Sequence, residues 1–321
     1  MKNLQRITLF PYYAIRRIYH CYLQRYNPRK YAKILHRCSC GRELDLEHPQ
    51  DLNEKINWMK FNTDTTRWSE LADKYRVREY VRKCGLGDFL VRLYGVWETA
   101  DEIDFSKLPE SFVLKTNNAS GTTLIVPNKK ELDIPVIRKT LNQWLKQPYG
   151  IKSAEPHYLS IPPCIIAEEL LDVTKQPIAS TSLIDYKILC FDGNPTYIIV
   201  GTNRTHKDVE WSLFDMNWNY HPEKQVFTNH YKECTNLVCT APQKCPTFGV
   251  QYIPRPETLD EMLRAARILS AGLPQVRVDL YEVGGKPYFG EMTFTGLGGY
   301  MNFFTEEFLL ELGDYTKLPK Q

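Results

Sequence analysis

Arg277, Asp279 and Glu291 are charged residues set inside two apolar, alternating runs. From Gln275 to Val283, Val276, Val278 and Leu280 alternate with Arg277, Asp279 and Tyr281, the period of two expected of a half-buried strand. Gly284-Gly285 turns the chain, and Lys286 to Thr295 runs back, with Phe289, Glu291 and Thr293 expected on one face and Tyr288, Met292 and Phe294 on the other. A carboxylate left unpaired in such a strand is costly, so a cation should sit between the two acids. A three-residue loop of Gly284, Gly285 and Lys286 would put Asp279 directly opposite Glu291, and this is the register expected. A two-residue loop would pair Asp279 with Gly290 and send the carboxylates to opposite faces. Two hard oxygen ligands that leave room for phosphates and water describe a magnesium site. Ion pairs to Arg277 or Lys187 with no metal account for the same residues.

Other residues upstream could serve the same chemistry. Phe112 to Lys115 reads as a buried strand ending in a charge, followed by the small polar loop Thr116-Asn117-Asn118-Ala119-Ser120-Gly121 and an apolar strand from Leu124. Backbone N–H groups of such a loop can close over phosphates, with Lys115 aimed at them. A lysine whose stem is buried and whose head reaches solvent is the plainer account. No GxxxxGK[ST] or GxGxxG pattern is present. Pro162 to Leu171 runs an apolar strand into Glu168-Glu169, suited to a purine edge or simply to a strand reaching water. Leu183 to Val200 reads as a second hairpin, with an Asp-Gly-Asn-Pro turn and with Asp185 and Lys187 on one face; Arg204 follows it.

The elements that must position these residues are legible in outline. Asp51 to Lys60 begins a helix with Asn53 as the expected cap; Leu71 to Val81 reads as one continuous helix, ended by Gly85. Phe89 to Trp97 and Ser111 to Lys115 read as short strands, giving a lobe of residues 67–130; Ile134 to Leu145 and Pro256 to Ala271 read as helices. The expected division is a basic helical arm over 1–48, a catalytic region over 49–313 with a second lobe from 131, and a tail from 314.

With 321 residues, 43% of them apolar, the chain can fold as one elaborate domain or as two to three small lobes. Its net charge of +3 conceals an asymmetry: residues 1–42 hold ten Lys and Arg and no acid, leaving 31 basic against 38 acidic side chains, or −7, for the rest. The body is therefore no general polyanion binder. No run of 18 apolar residues occurs, so no spanning helix is expected. Pro11, Tyr12 and Tyr13 interrupt the only signal-like stretch, and Arg16-Arg17 follows it without a small-residue cleavage site. Nine irregularly spaced cysteines fit a reducing cytoplasm; His230, Cys234, Cys239 and Cys245 lack a CxxC knuckle, and free thiols are the plainer reading. Ile15, Tyr19, Tyr22 and Tyr26 recur at helical spacing beside Arg16, Arg17 and Arg25, as for a helix on an anionic membrane surface or one packed on the body.

Asp73-Lys74 with Arg78, Lys115 before a small-residue loop, Glu168-Glu169 after a strand, Lys187 in a hairpin, and Arg277, Asp279 and Glu291 in a last hairpin resemble, in this order, the ATP-grasp superfamily. Residues 49–313 resemble more closely the TupA-like ATP-grasp family of bacterial surface-polysaccharide clusters. The resemblance implies an α+β fold whose two lobes clamp ATP between antiparallel sheets. It implies Lys115 and one of Lys74 or Arg78 on the phosphates, Ser120 and Gly121 in the lid, and Glu168, Glu169, Leu170 and Leu171 along the adenine. It also implies Lys187 on the γ-phosphate, Arg277 on the reacting carboxyl group and Arg204 on the acceptor carboxylate. One or two Mg²⁺ would bind Asp279 and Glu291, with Thr293 standing where relatives usually have Asn; Asn118-Ala119 replaces their frequent His or second Gly in the lid.

The activity implied is a carboxylate–amine ligase that forms an amide through an acyl phosphate, joining an amino acid or small amine to a uronic acid in capsule assembly. Its place would be the cytoplasm beside the inner membrane, with residues 1–42 turned to the membrane or to glycan-assembly proteins and no nucleic-acid partner. A glycosyltransferase using Asp279 and Glu291, an ATP-grasp phosphotransferase and a noncatalytic ATP-binding protein are the alternatives.

Overall fold

Alternating apolar residues build the larger of two antiparallel sheets. In the computed structural model, which describes residues 15–205, 209–226 and 253–319, this sheet is ordered β7-β6-β5-β8-β9. Its strands are β5 (Asp185–Phe191), β6 (Asn194–Thr202), β7 (Glu210–Asp215), β8 (Gln275–Val283) and β9 (Lys286–Thr293). Every residue of the central strand β5 is buried. Asp192 and Gly193, with φ of 49° and 77°, make the tight two-residue turn into β6. The four candidate zinc ligands, His230, Cys234, Cys239 and Cys245, lie outside the described residues.

The smaller sheet is ordered β1-β4-β2-β3, from β1 (Leu93–Trp97), β2 (Phe112–Thr116), β3 (Thr123–Val126) and β4 (Ile165–Glu168). β4 pairs with both β1 and β2, so this sheet crosses the division expected at residue 130. Its core of Phe112, Leu114, Val126, Ile165 and Ala167 is closed by Ile137 and Leu141 of a helix over Ile134–Leu145, the span its periodicity predicts. The two antiparallel sheets make the fold α+β, as expected.

The helices are α1 (residues 15–26), α2 (Pro28–Cys40), α3 (Leu52–Asn62), α4 (Thr66–Ala72), α5 (Val77–Lys83), α6 (Ile134–Leu145), α7 (Pro156–Leu159), α8 (Leu259–Leu269) and α9 (Glu306–Tyr315). α8 covers the large sheet with Leu259, Met262, Ala265, Ala266 and Leu269, while α3 packs on α9. The cap of α3 is Asp51, not Asn53: Asp51 accepts from the Glu54 amide, and Glu54 reaches back to the Asp51 amide. Asn53 lies inside the helix and fixes the far end of the chain, donating to the Met301 carbonyl and accepting from its amide.

The helix expected over Leu71 to Val81 is broken in two. Asp73 leaves helical geometry, and its carboxylate accepts from the amides of Tyr75 and Arg76, offering the backbone an alternative to the helix ladder. Tyr75, expected on the packed side, is 40% exposed as a result.

The β8–β9 hairpin corrects the expected turn. Val283 pairs with Lys286, so the loop is Gly284-Gly285 alone. Asp279 nevertheless pairs with Glu291, because a bulge falls between Asp279 and Leu280: Leu280 pairs with Phe289, and Gly290 is left over. The bulge also changes the faces. Phe289 joins Leu280 and Met292 in the core, and Tyr288 rather than Phe289 lies on the Glu291 side, against Tyr281.

Candidate active site

β8 carries Arg277 and Asp279 on one face, and cross-strand pairing brings each a partner. Lys187 on β5 lies opposite Asp279, and Thr293 on β9 lies opposite Arg277. The Lys187 ammonium bonds Asp279 Oδ2 and stands 3.5 Å from Asp185. Arg277 donates to both Asp279 oxygens at 2.6 and 2.8 Å, to Glu291 at 3.2 Å and to the Thr293 hydroxyl at 3.1 Å. Arg204 donates to Asp185 at 2.7 Å, and Lys74 reaches Glu291 at 3.4 Å. The result is an unbroken row of alternating charge: Arg204, Asp185, Lys187, Asp279, Arg277, Glu291, Lys74.

Burial makes the row consequential. Asp279 is 1% exposed and Lys187 6%, so both charges depend on the opposite charges around them, Asp279 on Lys187 and Arg277, and Lys187 on Asp279 and Asp185. Burial by itself would weaken the Arg277 charge, but Asp279 and then Glu291 hold its guanidinium firmly protonated. Burial likewise favours a neutral Glu291, yet Lys74, Arg277 and Lys187, helped by the Thr293 hydroxyl, keep its carboxylate ionised well below the usual range.

A second cluster belongs to the small sheet. Glu168, at the end of β4, accepts from Arg78 at 2.9 Å and pairs with Lys115 at 2.5 Å. Arg78 is buried and also donates to the Val91 carbonyl at 2.6 Å; burial lowers its pKa, with Glu168 opposing. Lys115 is the more accessible cation of the pair.

Lys74 and Tyr281 join the two clusters. The break between α4 and α5 frees Lys74 to donate its amide to the Asn117 carbonyl and its ammonium to the Ala119 carbonyl at 2.8 Å, in the β2–β3 loop, while it faces Glu291. Ser120 and Gly121 form the exposed tip of that loop, and Gly121, at φ +76°, uses the left-handed region that favours glycine. Tyr281 extends from β8 among the acids of both clusters. Burial, then Asp185, Glu291, Asp279 and Glu168 in that order, push its hydroxyl far up, so it remains protonated.

The expected adenine-side residues are spread out. Glu168 is engaged as above, Glu169 is exposed, Leu170 is half-buried, and Leu171 packs with Val91 and Val283. Asp185 and Tyr281 are the two residues at the centre that were not singled out as site residues. The alternation of Asp185 with Lys187 was the available signal for the first. The second carries no sequence signal, since a tyrosine in a strand is ordinarily packing.

Among the described residues no group of three or more His, Cys, Asp or Glu converges as a metal site. Asp279 and Glu291 do face one another across β8–β9, with the Arg277 guanidinium bonded to both; they are hard oxygen donors of the type Mg²⁺ takes alongside phosphates and water, and to hold the ion they would exchange contacts now made to Arg277, Lys187 and Lys74. Thr293 donates to Glu291 at 3.0 Å and accepts from Arg277, so its hydroxyl orients the carboxylate.

Two antiparallel sheets whose charged clusters are joined through Lys74 and Tyr281, with the small-residue β2–β3 loop bound to Lys74, define an α+β protein. The chain belongs to the TupA-like ATPgrasp family, whose profile matches residues 54–317. No curated protein matches the chain significantly.

Among solved structures it is similar to D-alanine–D-alanine ligase from Bacillus anthracis, with 17% identity over 70% of this chain and 57% of that one at a TM-score of 0.36. It is also similar to the same enzyme from Helicobacter pylori (12%, 85% and 69%, TM-score 0.39) and to the ATP-grasp ligase PsnB complexed with minimal precursor, Mg and ADP (13%, 82% and 66%, TM-score 0.39). The chain thus spans under two thirds of the Bacillus anthracis ligase, and family membership rests on the profile match.

Proposed function

We propose that the protein is an ATP-dependent carboxylate–amine ligase. The observation that carries this reading is the charge inventory of the two joined clusters: Lys74, Arg78, Lys115, Lys187, Arg204 and Arg277 stand against Glu168, Asp185, Asp279 and Glu291. Six cations against four acids leave an excess of two positive charges, complementary to a magnesium-bound triphosphate.

Lys115 and Lys74 are assigned to the phosphates, because both border the β2–β3 loop, whereas Arg78 is buried behind Glu168. The loop tip at Ser120 and Gly121 would close over them. Lys187 is assigned to the γ-phosphate and Arg277 to the reacting carboxyl, where a fixed guanidinium neutralises charge as it develops. Mg²⁺ held by Asp279 and Glu291 would supply charge neutralisation on the phosphate oxygens. Arg204, at the open end of the charge row, is assigned to the acceptor's carboxylate, and Glu168 to Leu171 to the adenine side.

In the reaction a substrate carboxylate oxygen attacks the γ-phosphorus and ADP departs. An amine nitrogen then attacks the acyl carbon, phosphate leaves, and the amine gives up a proton to form the amide. The substrates we assign are a uronic acid and an amino acid or small amine, joined on the cytoplasmic side during surface-polysaccharide assembly. Membership of the TupA-like family speaks against the glycosyltransferase reading.

The test is ADP release by the purified protein with Mg²⁺-ATP, hydroxylamine and a panel of uronic acids, scored also for hydroxamate. Hydroxylamine intercepts an acyl phosphate whatever the natural amine is. Hydroxamate that disappears in Asp279→Ala and Glu291→Ala supports the ligase. ADP release that depends on a sugar hydroxyl and yields no hydroxamate would replace it with a phosphotransferase.

A further inference from the structure

Helix α1 presents its apolar side to solvent. Ile15, Ile18, Tyr19, Tyr22 and Tyr26 are 67%, 70%, 42%, 57% and 66% exposed, while Leu23 alone is turned into the core. At 3.6 residues per turn the five exposed residues fall within an arc of roughly 100°, as wide as the stripe that a surface helix normally buries. The helix is held to the body from its other side, where Gln24 donates to the Tyr31 hydroxyl and His20 lies edge-on to the same ring. It is therefore fixed with its stripe outward.

Charge identifies what the stripe meets. Arg25 lies over the Tyr26 ring at 5.7 Å and Lys30 over Tyr19 at 5.7 Å, so cations border the stripe itself. Arg16, Arg17 and Arg29 are exposed nearby, and residues 1–42 contain no acid to offset them. A purely apolar partner would strand these charges, and a purely acidic one would leave the isoleucines and tyrosines in water. A surface with an apolar interior beneath a sheet of negative headgroups satisfies both: aromatic and aliphatic side chains enter at the headgroup level while arginine and lysine remain among the phosphates.

We propose that α1 docks the protein on an anionic phospholipid bilayer through Ile15, Ile18, Tyr19, Tyr22 and Tyr26. This goes beyond the ligase reading and does not depend on it. The docking is peripheral, since no helix among the described residues is long and apolar enough to cross a membrane. One such helix with few cations binds weakly and reversibly, so attachment should be salt-sensitive.

The experiment is flotation of the full chain, without nucleotide, on vesicles of phosphatidylcholine alone and with about 30 mol% phosphatidylglycerol. The expected result is binding to the anionic vesicles only, lost at about 0.5 M salt and weakened at least about tenfold in both Ile18→Ser/Tyr22→Ser and Arg25→Glu. Each altered side chain is on the exposed face, and an unchanged melting temperature confirms that the variants fold. Absence of binding to anionic vesicles would overturn the proposal, as would equal binding by Ile18→Ser/Tyr22→Ser. Concentration-dependent dimers of the wild type that Ile18→Ser/Tyr22→Ser abolishes, with no vesicle binding, would assign the stripe to a second copy of the chain instead. Because no substrate is present, failure here leaves the ligase reading untouched.

Discussion

Asp279 faces Glu291 across β8–β9 because Gly290 has no partner in the ladder. The tight Gly284-Gly285 turn taken alone would pair Asp279 with Gly290 and place the two carboxylates on opposite sides of the sheet. The bulge adds the one residue that restores them to one face. A β-carbon at Gly290 would sit 3.0 Å from the Asp279 carbonyl oxygen and 3.1 Å from the Tyr281 ring, so these neighbours must give by a few tenths of an ångström to admit it. Gly290→Ala is expected to cost about 1–3 kcal/mol and to weaken the rise in melting temperature produced by Mg²⁺-ATP. Thermal melts with and without the nucleotide check this; undiminished protection would mean that the carboxylate pair does not need the bulge.

Lys187 separates Asp185 from Asp279, and removing its charge leaves two acids facing one buried space. Lys187→Met is expected to destabilise the fold, with about 3–5 kcal/mol as the ceiling for breaking a buried pair. The real figure should be lower, since Arg277 still holds Asp279 through two hydrogen bonds. Lys187→Met/Asp279→Asn should regain part of the loss, because it removes the stranded charge. Urea unfolding of the two single variants and the double variant measures the coupling directly.

Glu168 pairs with two cations of unequal exposure. Arg78 is buried against it and against the Val91 carbonyl, whereas the Lys115 side chain is 19% exposed. Lys115→Ala should therefore weaken ATP binding about tenfold or more, a loss of about 1.4 kcal/mol or more, while changing thermal stability little. Arg78→Ala should do the reverse, lowering stability because the buried Glu168 is left with Lys115 alone and the Val91 carbonyl loses its side-chain donor. Nucleotide titration and melting curves on both variants test the split; equal stability losses would place both cations in the framework.

What was legible in the sequence follows from the range of the forces involved. Period-two alternation located β8 and β9, and the two sheets were implied by the resemblance to the ATP-grasp superfamily that the order of Lys115, Glu168, Lys187 and Asp279 carries. Local backbone competition was less visible. Asp73 reads as one more polar residue in a helical pattern, yet its side chain captures two amides and breaks the helix, which sets Lys74 between loop and hairpin. The Gly290 bulge was hidden for a similar reason: a glycine in a strand is compatible with both regular pairing and a bulge, and packing against Tyr281 and the Asp279 backbone decides. Asp185, visible as a strand charge, acquires its importance only through β5–β8 pairing.

His157 should make the fold sensitive to mild acid. Neither ring nitrogen has a hydrogen-bond partner among the described residues, and the ring packs instead on Trp68 and Tyr158. Burial first, then the charge of Lys60, bring its pKa down from 6.5 to about 3. The unfolded chain takes up this proton near pH 6.5 and the folded one only near 3, so the stability due to the neutral ring is complete above 6.5 and declines as pH falls toward 3. His36, also lowered by burial, contributes with the same sign. His157→Phe keeps an aromatic ring without the titration, and it should flatten the decline between about pH 6.5 and 4.5. Denaturant midpoints across that window check it; an unchanged slope would show that the ring is not held neutral.

Thr293 lies beside the Glu291 carboxylate, and its contacts predict what an Asn at this position would do. The hydroxyl donates to Glu291 at 3.0 Å and accepts from Arg277 at 3.1 Å, so it steers a carboxylate. An Asn carbonyl two residues beyond Glu291 adds a hard oxygen on the same face, to which Mg²⁺ can bind directly. Thr293→Asn should lower the Mg²⁺ concentration needed for half-maximal ADP release. Thr293→Val should raise it, because Glu291 loses a donor and Arg277 an acceptor. Both variants keep Asp279 and Glu291, so nucleotide binding at saturating Mg²⁺ should be nearly normal in each. If neither substitution moved the Mg²⁺ titration, the divalent ion would have to bind away from the β9 end of the hairpin, and the carboxylates of Asp279 and Asp185 would be the better place to look.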